Sequence, residues 1–126
     1  MYISTLSLFV NDTDRAVVFF TEKLGWELRQ NEQMGENMRW VTVAPPNERT
    51  AFVLVKGFAN WSQEKVGGWA GVVIEVDDVF AAHKEWSARG VEFTEVPSVQ
   101  FYGGWAQFKD SEGNELGLHS QAPANK

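Results

Sequence analysis

The chain carries one pattern twice. Val10-Asn11-Asp12-Thr13-Asp14-Arg15-Ala16 opens a segment that closes on Leu24-Gly25-Trp26-Glu27-Leu28. Val76-Asp77-Asp78-Val79-Phe80-Ala81-Ala82 opens another that closes on Arg89-Gly90-Val91-Glu92-Phe93. In each, an apolar strand ends in Val, an Asp follows two residues later, and a helix-like stretch runs to a Gly. A repeat this long implies two copies of one supersecondary unit, neither burying its apolar face alone. The cleft between the copies is where function is expected.

Local signals set the order of elements. Residues 3–10 read as a strand, with Leu6, Leu8 and Val10 on one face and Thr5, Ser7 and Phe9 on the other. Asp12 is suited to cap a helix, Ala16, Phe20 and Leu24 recur at helical spacing, and Gly25 stops it. Strands are expected near 26–31, 38–44 and 50–56, with Pro45-Pro46-Asn47 turning between the last two. The second copy runs in step: a strand over 70–76, a cap at Asp78, a stripe of Val79, Ala82 and Trp86, and a stop at Gly90. Strands near 91–95, 104–109 and 115–119 follow, the last two joined by the Asp110–Asn114 turn. The expected organisation is a βαβββ module over 1–56, a linker over 57–69, a second module over 70–120 and a frayed tail over 121–126, in one compact domain. Pro97 to Gly104 is expected to be mobile, with Gly103-Gly104 as a hinge near the cleft.

Composition narrows the function. The net charge of -6, with no run of Lys or Arg, argues against nucleic acid and anionic membranes, because phosphate binding needs clustered cations. The absence of cysteine excludes disulfides, thiol nucleophiles and thiolate metal sites. No apolar run approaches the roughly 20 residues of a membrane span, and no basic, apolar leader opens the chain, so a cytoplasmic location is expected. No Gly-rich loop joins a strand to a helix as a phosphate cradle would, and no Ser sits in a nucleophile elbow.

The tandem βαβββ order resembles the vicinal oxygen chelate superfamily, which contains glyoxalase I, bleomycin-resistance proteins and extradiol dioxygenases. The residues that carry the resemblance are Phe9-Val10-Asn11-Asp12 with Arg15-Ala16, Phe19-Phe20, Leu24-Gly25-Trp26, Glu75-Val76-Asp77-Asp78, Gly90-Val91-Glu92-Phe93 and Phe108 to Leu116. Ser111 and Glu112 depart mildly from the usual Asp-Pro-Asp-Gly-Asn turn. The resemblance implies an α+β fold of tandem βαβββ modules forming a U-shaped incomplete barrel with helices outside, and a homodimer. It also implies a divalent metal held by His, Gln or Glu from four strands. The matching positions here are Thr5, Val53, Gly71 and Gly117. Gly and Val offer no donor atoms and a lone Thr hydroxyl cannot hold an ion, so no metal or other cofactor is expected.

Of the two histidines, His83 reads as an ordinary helix residue, whereas His119 shares a strand face with Gly117 and Glu115. A pair with Glu75 would make a proton-transfer site or a sparse metal site. Cleft-facing candidates are Thr5, Ser7, Phe9, Trp40, Thr42, Val53, Val55, Gly71, Val73, Glu75, Trp105, Gln107 and His119; Trp61 and Trp69 would rim the opening, and Trp26 and Trp86 belong to packing. For each apolar candidate, simple core packing is the competing reading. The leading expectation is a metal-free small-molecule binding protein of the bleomycin-resistance type, sequestering on its tryptophans a planar or aromatic ligand that the acidic surface would favour as a cation. The alternatives are a glyoxalase-like lyase, isomerase or dioxygenase with a displaced metal or an acid–base site at His119 and Glu75, and an interaction module with a closed cleft.

Overall fold

A computed structural model describes residues 1–121; residues 122–126, most of the expected tail, lie outside the described residues. The chain divides into two compact units, Met1–Gly67 and a second beginning at Gly68. The first contains β1 (Thr5–Phe9), α1 (Thr13–Val18) running into a π-helical turn (Phe19–Lys23), β2 (Glu27–Gly35), β3 (Met38–Ala44) and β4 (Ala51–Val55). A short 3-10 turn, Gln63–Lys65, closes it. The second repeats the order with β5 (Gly68–Glu75), α2 (Val79–Ala88), β6 (Phe93–Gln100), β7 (Gly103–Lys109) and β8 (Asn114–Ser120). Each unit is a four-stranded mixed sheet, in the orders β1-β4-β3-β2 and β5-β8-β7-β6. In both, first and last strands pair parallel and the remaining pairs are antiparallel. This is the expected α+β pair of βαβββ modules.

The helix starts form as read. Asp12 Oδ1 accepts from the Arg15 N–H at 2.9 Å, and Asp78 Oδ1 accepts from the Phe80 N–H at 2.8 Å, satisfying amides that have no partner inside the helix. Ala16, Phe20 and Leu24 are buried, and the chain leaves the helix through Gly25 at φ +76°. Phe20 packs on Trp26 at 5.0 Å and Phe52 at 5.8 Å between ring centroids. In the second unit Trp86 takes the equivalent place, edge-on to Phe108 at 5.3 Å. His83 meets the Phe93 ring edge-on at 4.6 Å, an ordinary packing contact. Pro45-Pro46-Asn47 turns as expected: the Glu48 N–H donates to the Pro45 carbonyl at 3.2 Å, and Asn47 takes φ +67°.

Two strands are longer than the sequence pattern suggests. β2 runs to Gly35 and is exposed throughout, and β6 runs to Gln100. Both are sheet edges, where half-solvated backbone needs no apolar alternation. Pro97 lies in β6 at a register irregularity between Glu95 and Ser98, a place where a missing N–H is tolerated. The expected mobile stretch from Pro97 to Gly104 is therefore strand and hairpin: Val99 pairs with Gly104, Gln100 with Gly103, and Phe101-Tyr102 form the turn. Nor is Gly104 a hinge. A Cβ there would lie 2.6 Å from Ser120 Oγ and 2.7 Å from Val79 Cγ2, so the glycine admits close packing of α2 on the sheet.

The segment after β4 is tied to the first unit. Trp61 Nε1 donates to the Val10 carbonyl at 2.9 Å, Lys56 Nζ sits 4.2 Å over the Trp61 ring, and Lys65 Nζ donates to the Asn60 carbonyl at 2.7 Å. Among the described residues no helix is long and apolar enough to cross a membrane.

Candidate functional site on the second sheet

Strand alternation divides the second sheet. Ala106, Phe108, Leu116 and Leu118 are buried on the side that carries α2. The opposite face presents residues in cross-strand rows. Glu75 pairs with His119 and His119 with Trp105; in the next row Val73 pairs with Gly117 and Gly117 with Gln107. Five sequence candidates, Val73, Glu75, Trp105, Gln107 and His119, thus share one face.

Gly117 shapes that face. A Cβ built on it would clash with Cη2 of Trp105 and lie 3.0 Å from Cζ3 and 3.1 Å from Cζ2, the outer edge of the six-membered ring. The missing side chain is the bed on which the indole lies. Trp69 flanks Trp105 with ring centroids 6.4 Å apart, and Tyr102 flanks it edge-on at 6.3 Å. Trp69, Val73 and Tyr102 remain 52%, 49% and 45% exposed, so the aromatic surface is open. Beside it, Gln107 Nε2 donates to Glu115 Oε1 at 3.0 Å.

The expected pair forms at the end of the row. His119 Nδ1 lies 2.7 Å from Glu75 Oε1, and His119 Nε2 lies 2.7 Å from the Tyr102 carbonyl oxygen. Both partners are acceptors, so both contacts are hydrogen bonds only when each ring nitrogen carries a proton. The Tyr102 carbonyl first, and then Glu75, raise the His119 pKa above its ordinary value. The hydrogen bond from His119 is the main reason that the Glu75 carboxyl sits below its own ordinary value, with burial opposing. Gln121 Nε2 donates to the second Glu75 oxygen at 3.2 Å. The Tyr102 ring stacks over the imidazole at 6.1 Å and 24°.

The first sheet repeats the register but not the chemistry. Ser7 pairs with Val53 and Phe9 with Val55, matching Val73 with Gly117 and Glu75 with His119. Val53 is therefore the counterpart of Gly117, and Phe9 and Val55 stand where the second unit has its polar pair. Val53 and Val55 are buried, Ser7 is exposed, and Thr5, Phe9 and Trp40 are half-buried. Trp40 Nε1 donates to Gln30 Oε1 at 2.9 Å, and the Thr42 hydroxyl reaches the same oxygen at 3.3 Å.

Sequence reasoning missed Tyr102 and gave Trp69 only a rim position. A two-residue Phe101-Tyr102 turn between β-rich flanks was the available signal, obscured because the following glycine pair resembles a loop.

The residues at the four positions where the resemblance implies a metal do not fit one. Thr5 and Val53 in the first unit offer a single hydroxyl, and Gly71 and Gly117 in the second offer no side-chain donor. Any side chain at 117 would also have to displace the Trp105 ring. The nearby imidazole directs both nitrogens at oxygen acceptors, leaving no lone pair aimed at open space. Among the described residues, no group of three His, Cys, Asp or Glu is arranged to hold a metal ion.

Comparison with known proteins agrees with this fold. The family model described as Glyoxalase/Bleomycin resistance protein/Dioxygenase superfamily matches residues 2–118. The uncharacterised protein YetH of Bacillus subtilis (strain 168) is 32% identical over 112 residues, covering 89% of this chain and 92% of its own. A superfamily member from Sphaerobacter thermophilus DSM 20745 superposes with a TM-score of 0.85 at 31% identity, covering 96% of this chain and 98% of that one. TnmS3, an antibiotic binding protein from Streptomyces sp. CB03234, superposes with a TM-score of 0.84 at 30% identity over 97% of each chain. With a family model spanning nearly all of its length and both βαβββ units in place, this chain belongs to the glyoxalase/bleomycin resistance protein/dioxygenase superfamily.

Proposed function

We propose that the protein is a metal-free small-molecule binding protein that captures a planar or aromatic ligand stoichiometrically, making and breaking no bond. The observation that carries this reading is the open aromatic row of Trp69, Trp105 and Tyr102, bedded on Gly117 beside the His119–Glu75 pair. Stacking on desolvated aromatic faces is worth about 0.5–2 kcal/mol per contact. Val73 supplies apolar surface, and Glu75 and Gln107 supply polar groups at its margin. In the first unit, the equivalent candidates are Thr5, Ser7, Phe9 and Trp40, with Val53 and Val55 as the packed wall beneath. The acidic net charge of -6 favours a cationic ligand by long-range attraction. The antibiotic binding of TnmS3 supports the same class of function.

Titration with planar acridine- and phenazine-type dyes, followed by tryptophan emission and calorimetry, tests the proposal. A dye of micromolar or better affinity that quenches emission and raises the melting temperature supports it. No shift across such a panel sinks it.

The 2.7 Å His119–Glu75 contact favours one second reading, an acid–base catalyst of the lyase or isomerase type. Its sign is turnover abolished by His119→Ala with the fold intact. Against it stands the engagement of both imidazole nitrogens, which leaves neither free to take a proton from substrate. We further propose a homodimer in the cytoplasm, on the strength of the superfamily's habit and the absence of cysteine.

A further inference from the structure

His119 joins three separate pieces of chain. It lies on β8, its Nδ1 bonds Glu75 at the end of β5, and its Nε2 bonds the carbonyl of Tyr102 at the tip of the β6–β7 hairpin. The side chain is only 19% exposed. The hairpin tip is otherwise bare, with Phe101 99% and Val99 63% exposed. Yet this tip carries Tyr102, which flanks Trp105 and stacks on His119. We infer that His119 is the positioning residue of the aromatic face: it holds the Phe101-Tyr102 tip against the sheet only while its imidazole carries both protons.

Hydrogen-bond chemistry gives the direction. A neutral imidazole has one N–H and one lone pair. The carboxylate is the stronger acceptor, so the remaining proton stays on Nδ1 toward Glu75. Nε2 then turns a lone pair to the Tyr102 carbonyl oxygen, two acceptors at 2.7 Å, and that contact opens. The aromatic face is thus assembled at lower pH and loosens as the ring deprotonates. The raised His119 pKa places this step above the ordinary histidine range.

The other ionisable groups around the ring do not replace it. From β5 the facing group is Glu75 itself. From the hairpin it is the Tyr102 phenol, whose ring stacks on the imidazole. On β8 the same face carries Glu115, engaged by Gln107. From β7 it carries Lys109, which pairs with Glu92 at 3.7 Å. The neighbouring Gln121 is neutral and bonds Glu75.

As an account of ligand capture the inference rests on the function proposed above, but its structural half is read on the ligand-free protein. Amide hydrogen exchange of residues 99–105 and the imidazole nitrogen shifts of His119 are followed together from about pH 5 to about pH 9. The expected result, after correction for intrinsic exchange, is a drop of about fivefold or more in protection of the tip at the midpoint where His119 titrates. His119→Gln keeps a donor without a proton to lose, so its tip protection should be independent of pH. Protection in the parent that ignores the His119 midpoint, or a step that persists in His119→Gln, overturns the inference. Neither readout requires a ligand, so a failed dye titration would leave this result standing on its own.

Discussion

At the scale of single residues, Gly117 and Trp105 form one device. An indole lies where a side chain would otherwise stand, and the resemblance to a metal-binding family is broken at that point. Gly117→Ala should force the ring off its bed, at a cost of about 1–3 kcal/mol in unfolding free energy, with a shift in tryptophan emission. Denaturant melts with emission spectra check this, and an unchanged stability and spectrum would contradict the packing described. The His119–Glu75 pair carries a pH signature. Glu75 is held below its ordinary 4.5, so its contribution is present above that value and fades as pH falls through its lowered folded value. His119 is held above its ordinary 6.5, so its contribution is complete below that value and fades as pH rises through its raised folded value. The pair therefore contributes most between these ordinary values. Melting temperatures of the parent minus those of His119→Ala, plotted against pH, should peak in that window. Strand periodicity set the faces of Glu75 and His119, and the resemblance brought those faces together as a candidate pair; the 2.7 Å contact came from the structure. The engagement of Nε2 was not legible, because Tyr102 reaches the ring through a hairpin turn that spacing does not reveal.

At the scale of elements, the helices were the most legible part. Asp12, Asp78, Gly25 and Gly90 marked their ends, and the stripes Ala16-Phe20-Leu24 and Val79-Ala82-Trp86 marked the faces that pack. Asp78→Ala should lower stability by about 1 kcal/mol, since two N–H groups at the start of α2 lose their acceptor. A thermal melt within error of the parent would show that the cap contributes nothing. The edge strands β2 and β6 were less legible, because exposure removes the apolar alternation that sequence reading depends on. Gly104 was misread for a related reason: a glycine that admits close packing looks, in sequence, like one that confers freedom. Gly104→Ala should be more damaging than the cap variant, because Ser120 and the β-branched Val79 must both move.

At the scale of the whole molecule, the repeat supplied the fold and the register, and divergence between copies supplied the chemistry. Ser7–Val53 and Val73–Gly117 occupy the same register, yet the first copy ends in Phe9–Val55 and the second in Glu75–His119. A chain that keeps the βαβββ frame while filling the metal positions with Thr, Val and Gly has changed what the frame can hold. In the function proposed above, that frame captures a planar ligand on the Trp105 face. The most direct measurement is calorimetric titration of planar cationic acridine dyes into the parent and into Trp105→Ala, with the fold of both verified by circular dichroism. Capture on this face should give saturable binding near one dye per aromatic face in the parent, weakened by about tenfold or more in the variant. Equal affinity in both proteins, or no saturable binding to the parent across the panel, would contradict it.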